Sequence, residues 1–238
     1  MSGDAVVVHR RGPVAVVTLN QPGPARGSDA RAAELTQELE DACAALADDD
    51  ARAVVLTGTG DGFATGLVGG AAAAVAALRV PTIAWINGDC LDGGLELALA
   101  CDVRVAAPGA RLGLRSVPDG RLPADGGTQR LLRLVGRAHA LRLLLTGDVI
   151  DAAEGLRIGL VQSVGGPEAA DELADRVAAA APIAAAYVKE AVYRGADLAL
   201  EQGLRLEADL SILLHGTADR AKGLGSFAAG TRPDYEGR

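Results

Sequence analysis

Residues 81–107 read P-T-I-A-W-I-N-G-D-C-L-D-G-G-L-E-L-A-L-A-C-D-V-R-V-A-A, and no other stretch restricts the fold of this chain as much. The apolar run 82–86 predicts a buried strand, Asn87-Gly88 a turn, Gly93-Gly94 the opening of an apolar helix ending near Cys101, and 103–106 a further strand. A strand, a glycine turn, a helix N-terminus and a second strand make a layered α/β arrangement the expected fold class.

The backbone of such a corner carries chemistry of its own. The first N–H groups of a helix lack intrahelical partners and sit at the positive end of its dipole, and glycine lets a ligand oxygen approach them. Gly93 is thus a candidate oxyanion donor, and Glu96, one turn further among Leu95, Leu97 and Leu99, a candidate proton carrier. The alternative is that the glycine pair only permits tight helix packing and that Glu96 is solvated.

The unit recurs upstream. Residues 52–57 predict a buried strand, followed by Gly58-Thr59-Gly60-Asp61-Gly62. A dinucleotide fingerprint would need glycine where Phe63 stands, and a phosphate loop would need a Gly-Lys-Ser/Thr that is absent. An Ala-rich stretch (69–78) leads to Pro81, so strand, exposed turn, helix and strand occur twice over and bring two similar turns to one site. Before them, residues 6–10 and 14–19 predict a hairpin turning at Arg11-Gly12-Pro13, and Ser28 or Asp29 caps a helix with Leu35, Leu39, Cys43 and Leu46 on one stripe. After them, a short strand at 112–114, a loop carrying Asp119 and Asp125, and a helix closed by Gly136 give way to helix after helix. Leu200, Leu204, Leu210, Leu213 and Leu214 in the tail require a surface to bury.

A length of 238 residues with 49% hydrophobic content is enough for a full core, and the 3% aromatic content means that core is packed from small side chains. With net charge −8 and only Lys189 and Lys222 as lysines, the chain has no electrostatic footprint for nucleic acid or an anionic membrane. No apolar run spans a bilayer and the first residues show no signal-peptide pattern, so a cytoplasmic protein is expected. Cys43, Cys90 and Cys101, with His9, His139 and His215, have neither disulfide-framework nor zinc spacing.

Together these residues resemble the crotonase, or enoyl-CoA hydratase/isomerase, family. The resemblance is carried by A-V-V-L-T-G-T-G-D-G-F-A-T-G (53–66), I-N-G-D-C-L-D-G-G-L-E-L-A-L-A-C-D-V-R-V-A (86–106), G-G-T-Q-R-L-L-R-L-V-G-R-A-H-A-L-R-L-L-L-T-G (126–147), G-L-V (159–161) and R-P-D-Y-E-G-R (232–238). It implies a spiral of ββα units over residues 1–190 and a helical extension, 191–238, that mediates trimerisation, as a homotrimer or a dimer of trimers. It also implies an acyl thioester as substrate, from coenzyme A or an acyl carrier, with coenzyme A entering as part of the substrate and no further cofactor or metal. The thioester oxygen would be polarised by the N–H groups of Leu67 and Gly93, with Ala25, Arg26, Thr65 and Gly66 along the nucleotide path.

Four departures from the family pattern bear on chemistry. The two-glutamate pattern of the hydratases places the first carboxylate at Glu96 and the second at Ser116, whose hydroxyl cannot exchange a proton near neutral pH. Asp125 lies one residue from where some isomerases of the family carry an aspartate, and reads either as an acid/base or as the cap of the helix after it. Asp92 replaces a glycine beside the oxyanion corner, where an unpaired negative charge would oppose an enolate. The segment between Gly66 and Pro81 is short for the family, which predicts a more open acyl pocket. Hydratase/isomerase-like enolate chemistry is the leading expectation. The alternatives are decarboxylation of a malonyl-type or carrier-bound acyl thioester, and a non-catalytic acyl-thioester-binding partner subunit.

Overall fold

The computed structural model describes residues 4–20, 29–65, 67 and 69–238. Strands β1 (Val6–Arg11) and β2 (Val14–Leu19) form the expected hairpin, antiparallel from Val6↔Leu19 to Arg11↔Val14. From β2 the sheet continues in parallel through β3 (Ala53–Gly58), β5 (Thr82–Ile86), β7 (Val103–Ala106) and β10 (Ser163–Val164), giving the order β1-β2-β3-β5-β7-β10.

Alternation along these strands assigns their residues to two covered faces. Val14, Val16, Ala53, Val55, Ile83 and Val105 meet Ala170, Ala174 and Ala178, one per turn of α6 (Pro167–Ala178). Val17, Leu19, Val54, Leu56, Ala84 and Ile86 enter the main core with Leu35, Leu39, Cys43 and Leu46 of α1 (Asp29–Ala47) and with α3 (Gly93–Ala100). The alanine ridge of α6 is the small-residue packing that the scarcity of aromatics requires.

A second sheet, β4-β6-β8-β9, consists of β4 (Gly62–Thr65), β6 (Asp89–Leu91), β8 (Arg111–Gly113) and β9 (Ile150–Asp151). Strands β4 and β6 were not expected from the sequence. They are four and three residues long, too short to show a period, and exist because β4 pairs β6 and β6 pairs β8. Each pair β3-β4, β5-β6 and β7-β8 is followed by a helix: α2 (Ala71–Ala77), α3 and α4 (Gly127–Thr146). With the β1-β2 hairpin and α1 before them, four ββα units wind in succession.

The two glycine turns do meet. Asn87 reaches into the upstream turn, where its Nδ2 donates to the carbonyls of Gly58 (3.1 Å) and Gly60 (2.8 Å) and its Oδ1 accepts from Gly58 N–H (3.1 Å). The glycine-rich loop is thus tied to a side chain of the next unit.

Helix α4 breaks at Gly136 (φ 74, ψ 165), where the sequence predicts a helix end. Asp151 caps α5 (Ala152–Arg157), accepting from Glu154 N–H at 2.8 Å. Then α7 (Pro182–Gly195), with proline at its first turn, runs across the boundary between 190 and 191, where the sequence reading sets the start of the extension. Helices α8 (Leu200–His215) and α9 (Ala218–Ala229) follow, with Leu200, Leu204, Ile212, Leu213, Leu224 and Phe227 exposed. The terminal R-P-D-Y-E-G-R segment is drawn back by buried Asp219, which accepts from the N–H groups of Glu236 (2.7 Å) and Gly237 (2.8 Å). No helix among the described residues is long and apolar enough to cross a membrane.

Candidate oxyanion site

Gly93 is the first residue of α3, and the chain leaving β4 crosses directly over it. A Cβ on Gly93 would stand 2.6 Å from the Leu67 carbonyl oxygen and 2.9 Å from Leu67 N, and one on Gly94 would stand 1.8 Å from the carbonyl oxygen of Ala64. Only glycine admits such approaches. The packing reading and the site reading of the glycine pair are therefore compatible, because the backbone packed against Gly93 is that of Leu67, the other expected donor.

Glu96 lies one turn along α3 and is 6% exposed. Its Oε1 accepts two backbone hydrogen bonds, from Asp125 N–H and Gly127 N–H, each at 2.8 Å, across the start of α4. Among the described residues Oε2 accepts no hydrogen bond, so the carboxylate is anchored through one oxygen. Glu96 is thus not a solvated helix residue. Its two anchors are main-chain groups, which sequence reading missed because backbone donors carry no residue signature. The signal that existed was Gly126-Gly127, since a Cβ on Gly127 would lie 2.9 Å from Glu96 Oε1.

The Asp125 carboxylate does not cap its own helix, whose N-cap is Gly126 without a side-chain bond. It turns instead to α2, where Oδ2 accepts from Ala72 N–H at 2.7 Å. Its carbonyl accepts from Arg130 Nη1 at 2.6 Å. Asp125 therefore links the N-termini of α2 and α4 and presents its own N–H to Glu96.

Asp92 is the only non-glycine residue with positive φ among those described (φ 51, ψ −119). Its carboxylate is paired: Oδ1 accepts from Arg115 N–H at 2.6 Å, and Oδ2 from Arg115 Nε at 3.1 Å and Nη2 at 2.6 Å. The negative charge expected to oppose an enolate is thus offset by a guanidinium, a partner sequence reading did not identify. Ser116, next to Arg115, is buried, and its carbonyl closes a turn by accepting from Asp119 N–H (3.2 Å) and Arg121 N–H (2.8 Å). Thr65 is buried at the end of β4, opposite Leu91. Ala25, Arg26 and Gly66 lie outside the described residues.

Comparison with known proteins places the chain in a family. A family model described as enoyl-CoA hydratase/isomerase matches residues 68–238. The 2,3-dehydroadipyl-CoA hydratase of Escherichia coli (strain K12) is 35% identical, over 98% of this chain and 99% of that protein. The short-chain-enoyl-CoA hydratase of Clostridium acetobutylicum is 33% identical, over 93% of this chain and 94% of that protein. The crystal structure of an enoyl-CoA hydratase from Bacillus anthracis superposes with a TM-score of 0.89 at 33% identity, covering 98% of this chain and all of that one. With matches that run the length of the chain in sequence and in fold, this protein belongs to the enoyl-CoA hydratase/isomerase, or crotonase, family.

Proposed function

We propose that this enzyme binds an acyl-CoA thioester and stabilises its enolate between the N–H groups of Leu67 and Gly93, with Glu96 moving the proton. The observation that carries this reading is the apposition of the Leu67 backbone to Gly93 at the head of α3, with the anchored carboxylate of Glu96 one turn away. Two preorganised donors lower the barrier where oxyanion charge develops, and loss of one such donor costs about 3 kcal/mol.

For hydration of a 2-enoyl-CoA, Glu96 takes a proton from water as the water oxygen bonds to Cβ. The Cα=Cβ electrons shift to the thioester oxygen, and the enolate then takes the proton at Cα. For double-bond migration the same carboxylate removes a proton at one carbon and returns it at another. Ser116 stands where a second carboxylate would be, so Glu96 works alone or with a water held near Ser116. Asp125 is engaged with Ala72 and supports Glu96 by its backbone. Thr65, Gly66, Ala25 and Arg26 are assigned to the coenzyme A path, with coenzyme A part of the substrate and no other cofactor. The exposed apolar residues of α8 and α9 support a trimeric or hexameric assembly, and the family supports a cytoplasmic enzyme.

Hydration of a short trans-2-enoyl-CoA, followed by loss of enoyl absorbance, tests the reading. Turnover by the wild type that falls about 10²–10⁴-fold in Glu96→Ala is expected for loss of a general acid/base. Equal turnover by the two proteins would remove Glu96 from the chemistry.

A further inference from the structure

The peptide joining Asp92 to Gly93 carries the Gly93 N–H in its plane, so ψ of Asp92 and φ of Gly93 set where that N–H points. Asp92 holds φ 51 and ψ −119, the conformation of the first central residue of a type II′ turn, which glycine dominates. Such a conformation persists in another residue only where its surroundings over-determine it. Here they do. Asp92 N–H donates to the Gly113 carbonyl (2.8 Å), the Asp92 carbonyl accepts from Glu96 N–H (3.0 Å), and the carboxylate takes the backbone N–H and the guanidinium of Arg115. Arg115 in turn precedes Ser116, so the same contact ties the Ser116 turn to the corner.

We propose that Asp92 and Arg115 are positioning residues that aim the Gly93 N–H at the thioester oxygen and hold the Ser116 loop against the corner. This rests on the reading of Gly93 as an oxyanion donor. A purely structural pair would predict otherwise. An ion pair as exposed as this one adds little stability, and glycine adopts the Asp92 conformation freely. Asp92→Gly is therefore expected to keep or raise the thermal midpoint while loosening the donor peptide.

Acetoacetyl-CoA tests the clamp without turnover. Its α-proton passes to solvent and leaves an enolate with its own near-ultraviolet absorbance, so the pH midpoint of that absorbance reports enolate stabilisation by the protein. Bound to the full-length wild type, the midpoint is expected below that of free acetoacetyl-CoA. In Asp92→Gly and Arg115→Gln it rises by about one pH unit, a tenfold loss of enolate stabilisation, with the thermal midpoint unchanged or higher in Asp92→Gly. Arg115→Lys, which restores a cation, recovers part of the shift. Variants with the wild-type midpoint, or a loss that only follows a fall in thermal midpoint, would overturn the clamp. No midpoint shift in the wild type itself would instead overturn the reading of Gly93 as a donor.

Discussion

Asp125 faces two ways: its carboxylate accepts from Ala72 N–H at 2.7 Å while its own N–H donates to Glu96 at 2.8 Å. One residue thereby couples the helix after the Leu67 crossing to the candidate proton carrier. The division of labour within it, side chain for α2 and backbone for Glu96, gives separable consequences.

Asp125→Ala removes a cap and leaves the main-chain donor in place. The expected cost is about 1 kcal/mol, a fall in thermal midpoint of roughly 2–4 °C for a chain of this size, with turnover reduced far less than in Glu96→Ala. Asp125→Asn retains an acceptor for Ala72. If it kept the wild-type midpoint yet abolished turnover, Asp125 would be an acid/base after all.

The close approach of α3 to β4 makes Gly94 the least replaceable residue of the corner. Alanine there sets a Cβ 1.8 Å from a backbone oxygen that has no rotamer with which to yield. Urea unfolding should show Gly94→Ala destabilised by about 3 kcal/mol or more. Gly109→Ala, with open space around its Cβ, should stay within about 0.5 kcal/mol of wild type. Equal stabilities would mean that α3 does not approach β4 at Ala64 as described.

The buried thiols give the protein an alkaline limit. Burial, and for Cys43 the neighbouring Glu40, pushes Cys43 up to about 11, and burial pushes Cys101 up to about 12. Both values are raised on folding, so their contribution to stability is complete below the unfolded value near 9 and is lost as pH rises toward 11 and 12. The three cysteines should ignore a thiol reagent at pH 8 until urea unfolds the chain. Unfolding free energy should also decline from pH 9 upward less steeply in Cys43→Ala than in wild type. Rapid labelling of native protein would contradict the burial.

Much of this architecture is legible in the sequence because it rests on local signals: the β-branched runs of the parallel sheet, Gly93-Gly94 as a helix opening, and Gly136 as a break. Strands β4 and β6 were not legible, since three or four residues hold no period and their strand state comes from pairing with partners far along the chain. The candidate site divides in the same way. Gly93, Glu96 and Leu67 stand out through their motifs. The anchoring of Glu96 by two backbone N–H groups, the turn of Asp125 toward α2 and the pairing of Asp92 with Arg115 depend on loops brought together only by the winding of successive ββα units. Asp92 looks like an isolated departure, and Arg115, 23 residues on, carries no signal at all, until the fold joins them.

The central claim is that an enolate forms at this corner with Glu96 as the proton carrier, and proton exchange reads it most directly. An acyl-CoA incubated in deuterium oxide with wild type and with Glu96→Gln, followed by nuclear magnetic resonance at the acyl α-carbon, should show deuterium entering with the wild type. With Glu96→Gln, entry should be about 10²–10⁴-fold slower, while the variant keeps its fold and its acyl-CoA binding. Exchange at the same rate in both, or bound acyl-CoA with no exchange in the wild type, would contradict the account.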